Sequence, residues 1–549
     1  MSPGATRARV ASAHVRFWPD SSRWHLRWLV VLVVLAGGWP GVSGAATADG
    51  WSMFLQGERG GGAPLLGRRE SGGTVQGLDA ACASCHRRSG LGTFEGAVRV
   101  PPIAWRLLSR SWQEIAADRS VPHVLGFHPQ RPAYTRDSFA RAVREGIGAD
   151  GRALSWVMPR YADLSAAEID ALVAVLETRA AGPPAGASDG QLRFALLATP
   201  GSETQAVDAA AAILTGSFAA HNAQIGTAGA SAAPASSAYD VPRRLELVVW
   251  QLEGPSESWP AQLERRQQRE PVFALLAGVG PGDWTPIDHY CERQQLPLLL
   301  PSIQAPAADA GFYTVHFHRG VALEADVIAG DLRAAQEQPA VLLQYLRADD
   351  GAALAAARRL RTALEPAWQV KDVLLPAQAG APPILPAGGA AVVSWLPAAD
   401  LTRLGDLPGA GRIYISAVMA GEQPPLAQAW WSRTRIAYPW EVPERRRVAM
   451  NFPFGWLRAK GLPVVDERLQ VDTWLAAEVL QAALADMIDA YYPDYLVERV
   501  ESLVGHRLVN AHYPRLSLAA GQRFASKGAY LLRVQGDGSL TAEGGWRIP

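Results

Sequence analysis

The stretch "ACASCHRRSG", residues 81–90, contains two of the three cysteines in the chain. Cys82 and Cys85 are three positions apart, and His86 directly follows the second cysteine. Three kinds of site use such a spacing: a redox dithiol, one half of a zinc site, and a C-x-x-C-H haem attachment motif. The surrounding sequence has to discriminate between them.

The flanks of the motif favour haem attachment. A redox dithiol of the thioredoxin type lies in a βαβ unit, but "GGTVQGLDA" (72–80) and "RRSGLGTFEG" (87–96) are glycine-rich and contain no apolar strand. A zinc site needs a second cluster of thiol or imidazole ligands, and the sequence has none at a suitable spacing. In the remaining interpretation Cys82 and Cys85 form thioethers to a haem and His86 binds the iron.

A haem iron used for electron transfer commonly has a methionine as its second axial ligand. Met158 is the one methionine between His86 and residue 180, and Pro159 follows it. The next segment, "LSAAEIDALVAVL" (164–176), is typical of a capped amphipathic helix, with Ser165 at the N-cap and Glu168 three residues later. This order predicts Met158 as the ligand opposite His86.

The attachment motif, the Met-Pro loop and the C-terminal amphipathic helix occur in the order found in monohaem class I cytochromes c, which residues 79–180 resemble. The resemblance implies an all-α domain over residues 49–180 with one covalently bound haem c, its iron held by His86 and Met158. In that family a proline carbonyl after the motif accepts a hydrogen bond from the proximal histidine. Pro101 and Pro102 are the candidates here.

Two points in this half stay open. His123 and His128, in "VPHVLGFHPQRP" (121–132), are alternative sixth ligands, or else they belong to a proline-rich surface loop. Arg87 and Arg88 either face the haem propionates or a redox partner, or are solvated surface charges.

The N-terminus predicts export. Arginines precede the apolar run "WLVVLVVLAGGW" (28–39), and small residues follow it, which is the pattern of a secretory signal over residues 1–46. The run is short for a membrane span, which needs roughly 20 apolar residues. We therefore expect a periplasmic protein without a stable span after signal removal. The alternative is an anchor formed by an uncleaved N-terminal helix.

The pattern changes after residue 180. "RAAGPPAGASDG" (179–190) is rich in proline, glycine and small residues, and predicts a linker at 181–190. Beyond it, nearly continuous apolar strands such as "LRFALLATP" (192–200) and "AVLLQYLR" (340–347) alternate with helices. Such alternation indicates parallel sheets covered on both faces, here as two doubly wound α/β lobes in succession. The chain is therefore predicted to be multidomain.

The order of elements in residues 191–549 resembles a type I periplasmic binding protein of the branched-chain amino-acid binding group. The features that carry the resemblance are the glycine-rich turn "AGVGPGDW" (277–284), the following "LPLLLPSIQAP" (296–306), and the ending "YPRLSLAAGQRFASKGAYLLRVQ" (513–535). The resemblance implies two lobes that the chain connects by three crossings, with residues near 436–505 returning to the first lobe.

Ligands of such sheets bind at the carboxyl ends of the strands. The predicted cleft residues are Gly282, Asp283, Trp284, Ser302 and Gln304. The family holds an amino-acid carboxylate with small hydroxyl residues and backbone amides, whereas a carboxylate at position 283 would repel an anion. Trp284 is expected to stack on a ligand, and Ser302 and Gln304 to hydrogen-bond one, unless these residues only cap loops or pack.

The sequence therefore predicts an electron-transfer protein with a fused module that binds a small molecule or docks a partner. Its redox partners would be a periplasmic dehydrogenase and an oxidase or another cytochrome. The alternative is a ligand sensor or substrate-capture protein whose cleft modulates the haem domain. We expect no enzymatic activity, because a methionine-ligated iron has no open position. A net charge of zero gives no reason to expect nucleic-acid binding. The remaining thiol, Cys291, is expected to face the core.

Overall fold

The computed structural model describes residues 44–95, 98–116, 130–228, 243–335, 341–375, 391–404, 410–487, 490–504, 512–519 and 521–549. From Gly44 onward the chain forms one compact unit. Most of the predicted signal, residues 1–43, lies outside the described residues. The last three residues of that prediction, 44–46, belong to the first helix.

The N-terminal part is mainly helical. Its elements are α1 (Gly44–Gln56), β1 (Leu66–Arg68), β2 (Thr74–Gln76), α2 (Cys82–His86), β3 (Thr93–Glu95), β4 (Val98–Val100), α3 (Trp105–Leu108), α4 (Trp112–Ala116), α5 (Arg136–Glu145) and α6 (Ala166–Thr178). Strand β1 pairs with β2, and β3 with β4, both antiparallel. The all-α prediction therefore missed two short strand pairs, whose three-residue strands carry too little alternating pattern to be recognised in the sequence.

Helices α1 and α6 pack closely against each other. A Cβ atom on Gly50 of α1 would lie well inside contact distance of the Ala171 carbonyl oxygen in α6. Helix α6 starts with the predicted capping box, in which Ser165 and Glu168 exchange hydrogen bonds between side chain and backbone. Its apolar residues, among them Leu172 and Leu176, are buried. Patterning and capping together therefore form this helix as the sequence predicts.

The second half alternates strands and helices. Its elements are β5 (Gln191–Ala198), α7 (Thr204–Ala228), β6 (Arg244–Gln251), α8 (Trp259–Arg269), β7 (Ala274–Leu276), β8 (Val279–Asp283), α9 (Thr285–Gln294), β9 (Leu298–Leu299), β10 (Ser302–Ala305), β11 (Thr314–Val315), α10 (Val321–Ala334), β12 (Val341–Arg347), α11 (Gly351–Leu364), β13 (Gln369–Leu375), β14 (Ala391–Ser394), α12 (Ala398–Leu401), β15 (Ile413–Ser416), α13 (Ala417–Ala420), β16 (Thr434–Tyr438), α14 (Pro443–Arg446), α15 (Asn451–Ala459), α16 (Glu467–Met487), α17 (Pro493–Leu503), β17 (Tyr530–Val534) and β18 (Leu540–Ala542).

Two sheets organise these elements. In the first sheet β10-β8-β5-β7-β9-β11 follow one another, β6 pairs with β5, and every pairing is parallel. The second has the order β13-β12-β14-β15-β16-β17-β18, parallel up to β16 and antiparallel over its last two strands. The two-lobed α/β prediction with parallel sheets is confirmed, with two antiparallel strands added at one edge.

The chain connects the two lobes three times. It leaves the first sheet between β11 and α10, returns after β16, and enters the second sheet again at β17. Between the last two crossings, α16 packs against α7 of the first lobe and against α17. His318, Trp440, His512 and Tyr513 lie at the crossings, buried and in ring contact with one another.

The predicted linker is an ordered part of the second half. Ser188 and Gln191 are hydrogen-bonded in a turn, and the Gly186 carbonyl accepts a bond from the Arg193 backbone. Gly186 has a φ of 71°, and a Cβ atom there would collide with the backbone of Phe273. Gly186 is therefore required for a left-handed turn and for a close approach to another backbone segment. From the sequence alone, the same glycine indicates only a linker.

The two halves also share a hydrophobic core. Leu91, Ala104, Leu107 and Ile115 of the N-terminal part belong to the same buried cluster as the side chains of the two lobes. A separate cluster, which includes Phe54 and Phe139, fills the interior of the N-terminal part. None of the helices in the described ranges is long and apolar enough to cross a membrane.

Candidate functional site

One cavity in the N-terminal part brings the predicted haem residues together. Cys82, Cys85, His86 and Met158 all line it. Most of the other lining side chains are apolar and come from α1, β4 and the residues after it, α5, α6 and the loop that carries Met158: Phe54, Val98, Val100, Ile103, Phe139, Val143, Leu154, Val157, Pro159, Tyr161, Leu172 and Leu176. The cavity encloses about 1020 Å³ when its open mouth is included.

The two cysteines lie on the short helix α2, one turn apart, and both are half-buried. Burial raises the pKa of the Cys82 thiol to about 12. A redox dithiol needs the opposite, because the thiolate is the reactive form and its pKa is lowered in oxidoreductases. These surroundings therefore disfavour the oxidoreductase interpretation of the motif.

His86 is buried, and its ring is oriented by a backbone carbonyl. Nδ1 lies 2.8 Å from the carbonyl oxygen of Pro101, to which it donates a hydrogen bond. Burial lowers the pKa of His86, although this hydrogen bond opposes the shift. The ring is thus favoured in its neutral form with Nε2 free of its proton, which is the form that binds a metal. Of the two candidate prolines, Pro101 makes this bond and Pro102 does not.

Met158 is carried by an irregular loop between α5 and α6. Its backbone is anchored at Ser155, and its carbonyl oxygen accepts a hydrogen bond from the Arg160 guanidinium. After Pro159, the Tyr161 hydroxyl donates a bond of 2.8 Å to the Ala80 carbonyl, directly before α2. A buried hydrogen bond therefore joins the methionine loop to the segment that leads into the cysteine helix.

These residues suit a covalently attached haem. The walls are mostly apolar, as a porphyrin face requires, and the four residues able to bind the porphyrin and its iron all line the cavity. The alternative ligands His123 and His128 lie outside the described residues. In the described part of the chain no group of three or more His, Cys, Asp or Glu side chains is arranged to hold a bare metal ion.

Arg87 and Arg88 pair with carboxylates of the second half and are not solvated surface charges. Arg87 forms an ion pair with Glu501, and Arg88 approaches Asp494 to 3.2 Å. The Arg88 guanidinium also lies 4.7 Å from the centre of the Phe312 ring. Both arginines therefore dock the residues after the haem motif onto α17 and its neighbours.

At the predicted cleft, Asp283 forms a hydrogen-bonded turn just before a helix. Its Oδ1 accepts hydrogen bonds from the Thr285 backbone at 2.9 Å and from the Thr285 hydroxyl at 2.5 Å, at the start of α9. A Cβ atom on Gly351, at the start of α11 in the second lobe, would lie 3.2 Å from the Asp283 Cβ. The turn that contains Gly282 and Asp283 therefore lies directly against the second lobe.

Contrary to the prediction, Trp284 does not line the cleft. Its side chain is fully buried in an apolar cluster of the first lobe, where its ring lies against the position of Gly278. The residue ends a strand and precedes a helix, and the sequence gives no indication of the direction in which its ring turns. It is a packing residue, and a ligand cannot stack on it here.

Ser302 and Gln304 lie on β10, at the same edge. The Ser302 hydroxyl donates to Asp472 at 2.8 Å and accepts from Arg468 at 2.9 Å, which incorporates it into a buried network. Gln304 has a buried side-chain oxygen without a hydrogen-bond partner among the described residues. Two of the predicted cleft residues thus have a buried polar atom without a hydrogen-bond partner in the described ranges: Gln304 at Oε1, and Trp284 at the indole Nε1 within its apolar cluster.

Cys291 is fully buried in α9, as predicted, and burial raises the pKa of its thiol.

Sequence reasoning missed the carboxylates of α17 that meet the haem motif: Asp494, Glu498 and Glu501. Their spacing of four and three residues places them on one face of a helix, which was the available signal. What the pattern could not give was their partners, which lie some 400 residues earlier in the chain.

Comparisons with known proteins gave similarity to solved structures alone. A scan against family models found no match. A search of curated proteins found no match either.

Solved structures similar to this chain include several substrate-binding proteins. One is a periplasmic substrate-binding protein from Ralstonia solanacearum, with a TM-score of 0.48, 16% identity, and coverage of 64% of this chain and 100% of the other. Another is a branched-chain amino acid ABC transporter protein from Thermus thermophilus with bound valine, with a TM-score of 0.47, 12% identity, and coverage of 66% and 97%. A third, from Rhodopirellula baltica SH 1, is described as a possible leucine/isoleucine/valine-binding protein, with a TM-score of 0.46, 11% identity, and coverage of 64% and 97%.

Proposed function

We propose that the chain is a periplasmic c-type cytochrome that transfers electrons through one covalently bound haem and carries a two-lobed module for a small molecule or a protein partner. The observation that supports this best is the mostly apolar cavity that Cys82, Cys85, His86 and Met158 all line. A chance C-x-x-C-H sequence would have no reason to share a cavity with the Met-Pro loop.

Each residue has a defined part in this proposal. Cys82 and Cys85 would hold the haem through thioethers, and His86 and Met158 would bind its iron. Such a haem supplies one-electron transfer between its ferric and ferrous states. The Pro101 carbonyl fixes the orientation of the His86 ring through the bond of 2.8 Å, and the apolar side chains exclude water from the cavity.

The proposal includes the partners and the compartment. A periplasmic dehydrogenase would donate the electron, and an oxidase or another cytochrome would accept it. The N-terminal signal would direct export, or its helix would remain as an anchor. Cell fractionation of the tagged chain distinguishes these two outcomes, because an anchored protein sediments with membranes after osmotic release of the periplasm.

Covalent haem is the decisive test. The full chain, produced with c-type haem maturation, is expected to retain haem on a denaturing gel, and the double substitution Cys82→Ala and Cys85→Ala should abolish this. Cys291→Ser is the control, because this thiol is buried in α9 and does not line the cavity. A wild-type chain without covalent haem would refute the proposal.

The sixth ligand is tested separately. Oxidised wild-type protein is expected to show the weak long-wavelength absorption band of methionine-ligated ferric haem, and Met158→Ala to lose it while the haem stays attached. A band that survives this substitution would exclude Met158 and make His123 or His128 the candidates.

Capture of a small molecule by the second half is a second candidate function. The observation that favours it is Gln304, whose buried side-chain oxygen has no hydrogen-bond partner in the described ranges. Unsatisfied buried polar groups are costly and commonly mark a place where a ligand or water binds. The similar solved structures suggest branched-chain amino acids as the first compounds to try.

Calorimetric titration with leucine, isoleucine and valine tests this candidate. Gln304→Ala should weaken any binding, whereas Gln268→Ala, which removes an exposed glutamine hydrogen-bonded to Glu264, should not. If the cleft modulates the haem, a bound ligand must also change the reduction potential, because coupling between two binding equilibria is reciprocal. Absence of heat with all three amino acids would remove branched-chain amino acids as candidates.

A further inference from the structure

The turn directly after His86 has a strained backbone. Arg87 has φ of 64° and ψ of 165°, a region that is essentially restricted to glycine. A non-glycine residue in this region is sterically strained and persists only when the surroundings enforce the conformation. The question is what holds this turn in place.

Hydrogen bonds connect the strained turn to the carbonyl that orients His86. The Gly90 carbonyl accepts from the backbone of Ile103 at 2.7 Å and of Ala104 at 3.1 Å, and the Gly92 backbone donates to the His86 carbonyl at 3.2 Å. Two residues before Ile103, Pro101 accepts the bond from His86 Nδ1. A displacement of the turn would therefore change the orientation of the imidazole.

Carboxylates of α17 hold the turn from the second half. Glu498 accepts hydrogen bonds from the Ser89 backbone at 2.8 Å and from the Ser89 hydroxyl at 2.7 Å. Both residues are buried, with 1% of Glu498 and 2% of Ser89 exposed. Glu501 pairs with Arg87 and with Arg523. The strained residue and the residue two positions after it are thus each bound by a carboxylate of a helix more than 400 positions away.

We propose that Glu498 is a positioning residue for His86, by which the second half holds the proximal side of the haem site in its strained geometry. This inference rests on the proposed haem binding and deepens it. Glu498 does not itself line the cavity. It acts through Ser89 and the hydrogen bonds that connect Gly90 to the segment of Pro101.

The test compares Glu498→Ala and Glu498→Gln with matched changes at Glu324 in the haem-loaded full chain. Glu324 is also a fully buried glutamate that accepts hydrogen bonds from one hydroxyl, that of Ser416, and one backbone N–H, that of Val418, both in the second half. Hydrogen exchange of the amides of residues 89–92 reports the turn, and a redox titration reports the iron.

Glu498→Ala is expected to speed exchange of these amides at least tenfold. It should also change the oxidised-to-reduced ratio at a fixed solution potential at least threefold, which corresponds to about 30 mV at 59 mV per factor of ten. Glu498→Gln should be intermediate, because its amide oxygen can still accept from Ser89, and it provides the test if the alanine variant does not fold. The Glu324 variants should leave both quantities unchanged.

Different results would overturn the cytochrome proposal and the role of Glu498. A wild-type chain that takes up no haem overturns the proposed function. A haem-loaded, folded Glu498 variant with unchanged amide exchange or an unchanged potential overturns this inference and leaves the cytochrome proposal intact. Equal effects from the Glu324 variants also overturn it, because the change would then reflect general destabilisation.

Discussion

Arg179 donates a hydrogen bond of 2.9 Å to Asp494, which lies 315 positions further along the chain. The arginine side chain is only 5% exposed, although it begins the segment 179–190, whose composition is typical of a linker. Asp494 also accepts from the Tyr313 hydroxyl at 2.6 Å and from Arg88 at 3.2 Å. One carboxylate of α17 therefore binds Arg88, which lies just after the haem motif, Arg179 at the end of the N-terminal part, and Tyr313 of the first lobe.

The first prediction concerns this junction. A specific protease site placed at residues 181–185 should allow the chain to be cut, and the two pieces should still co-elute in size-exclusion chromatography. Asp494→Ala should make them separate, because removing one partner of a buried ion pair costs about 3–5 kcal/mol. The exposed Asp309, changed to alanine, is the control. Separation of the wild-type pieces would show that the halves are independent.

The second prediction concerns the cap of α6. Glu168 accepts hydrogen bonds from Arg59 at 2.6 and 2.8 Å and from the Ser165 backbone at 2.8 Å. The bond from Arg59 lowers the pKa of Glu168 to about 2, with burial opposing and Ser165 adding to the effect. Glu168→Gln should reduce the unfolding free energy of the N-terminal part by about 1 kcal/mol.

This stabilisation has a defined pH range. Because the folded pKa is lower than the unfolded value near 4.5, the contribution is complete above about pH 5 and declines as the pH falls towards 2. Denaturant melts at several pH values check this. Glu177→Gln, which breaks an exposed pair with Arg136, should cost less than half as much. A deficit that does not vary with pH would contradict the role of the carboxylate charge.

The third prediction concerns His318 at the first crossing between the lobes. Its Nδ1 accepts a hydrogen bond of 2.9 Å from the Gly320 backbone, which a protonated ring cannot do. Burial, assisted by Arg468, His316 and His512, lowers the pKa of His318 to about 3. The unfolded chain therefore binds a proton that the folded chain excludes, and stability falls as the pH drops below about 6.5, by about 1.4 kcal/mol per pH unit for one proton.

His318→Asn should flatten this dependence, because its side-chain oxygen still accepts from Gly320 but does not titrate. Unfolding free energies between pH 7 and 5 are the measurement, and the exposed His289→Asn is the control. An equally steep slope in both variants would assign the acid sensitivity to other groups.

The fourth prediction concerns the contact between α1 and α6. Gly50→Ala would push a methyl group into the Ala171 carbonyl, and overpacking of this kind costs about 1–3 kcal/mol. Thermal unfolding of the N-terminal part should shift down accordingly. Gly182→Ala should be silent, because a Cβ atom there meets nothing within 4 Å. Equal melting temperatures for Gly50→Ala and the wild type would mean that α1 is free to move away.

Elements defined by local pattern were predictable. Strands β5 and β12 lie within about two residues of the limits expected from their sequences, 192–200 and 340–347, and α6 begins at its predicted cap. Contacts between residues far apart in the sequence could not be predicted from it. The partners of Arg87 and Arg88 depend on how the two halves dock, and the burial of Trp284 depends on which way one ring turns at the end of a strand.

The contact between Ser89 and Glu498 also has a consequence for biosynthesis. The two residues are 409 positions apart, so at about 5–20 residues per second the ribosome needs about 20 to 80 s to add the glutamate after the serine. Throughout that interval the C-x-x-C-H segment exists without α17, the helix that later binds it. The haem would then be attached while the motif is still free of α17, and the contact between Ser89 and Glu498 would form as a late step of assembly.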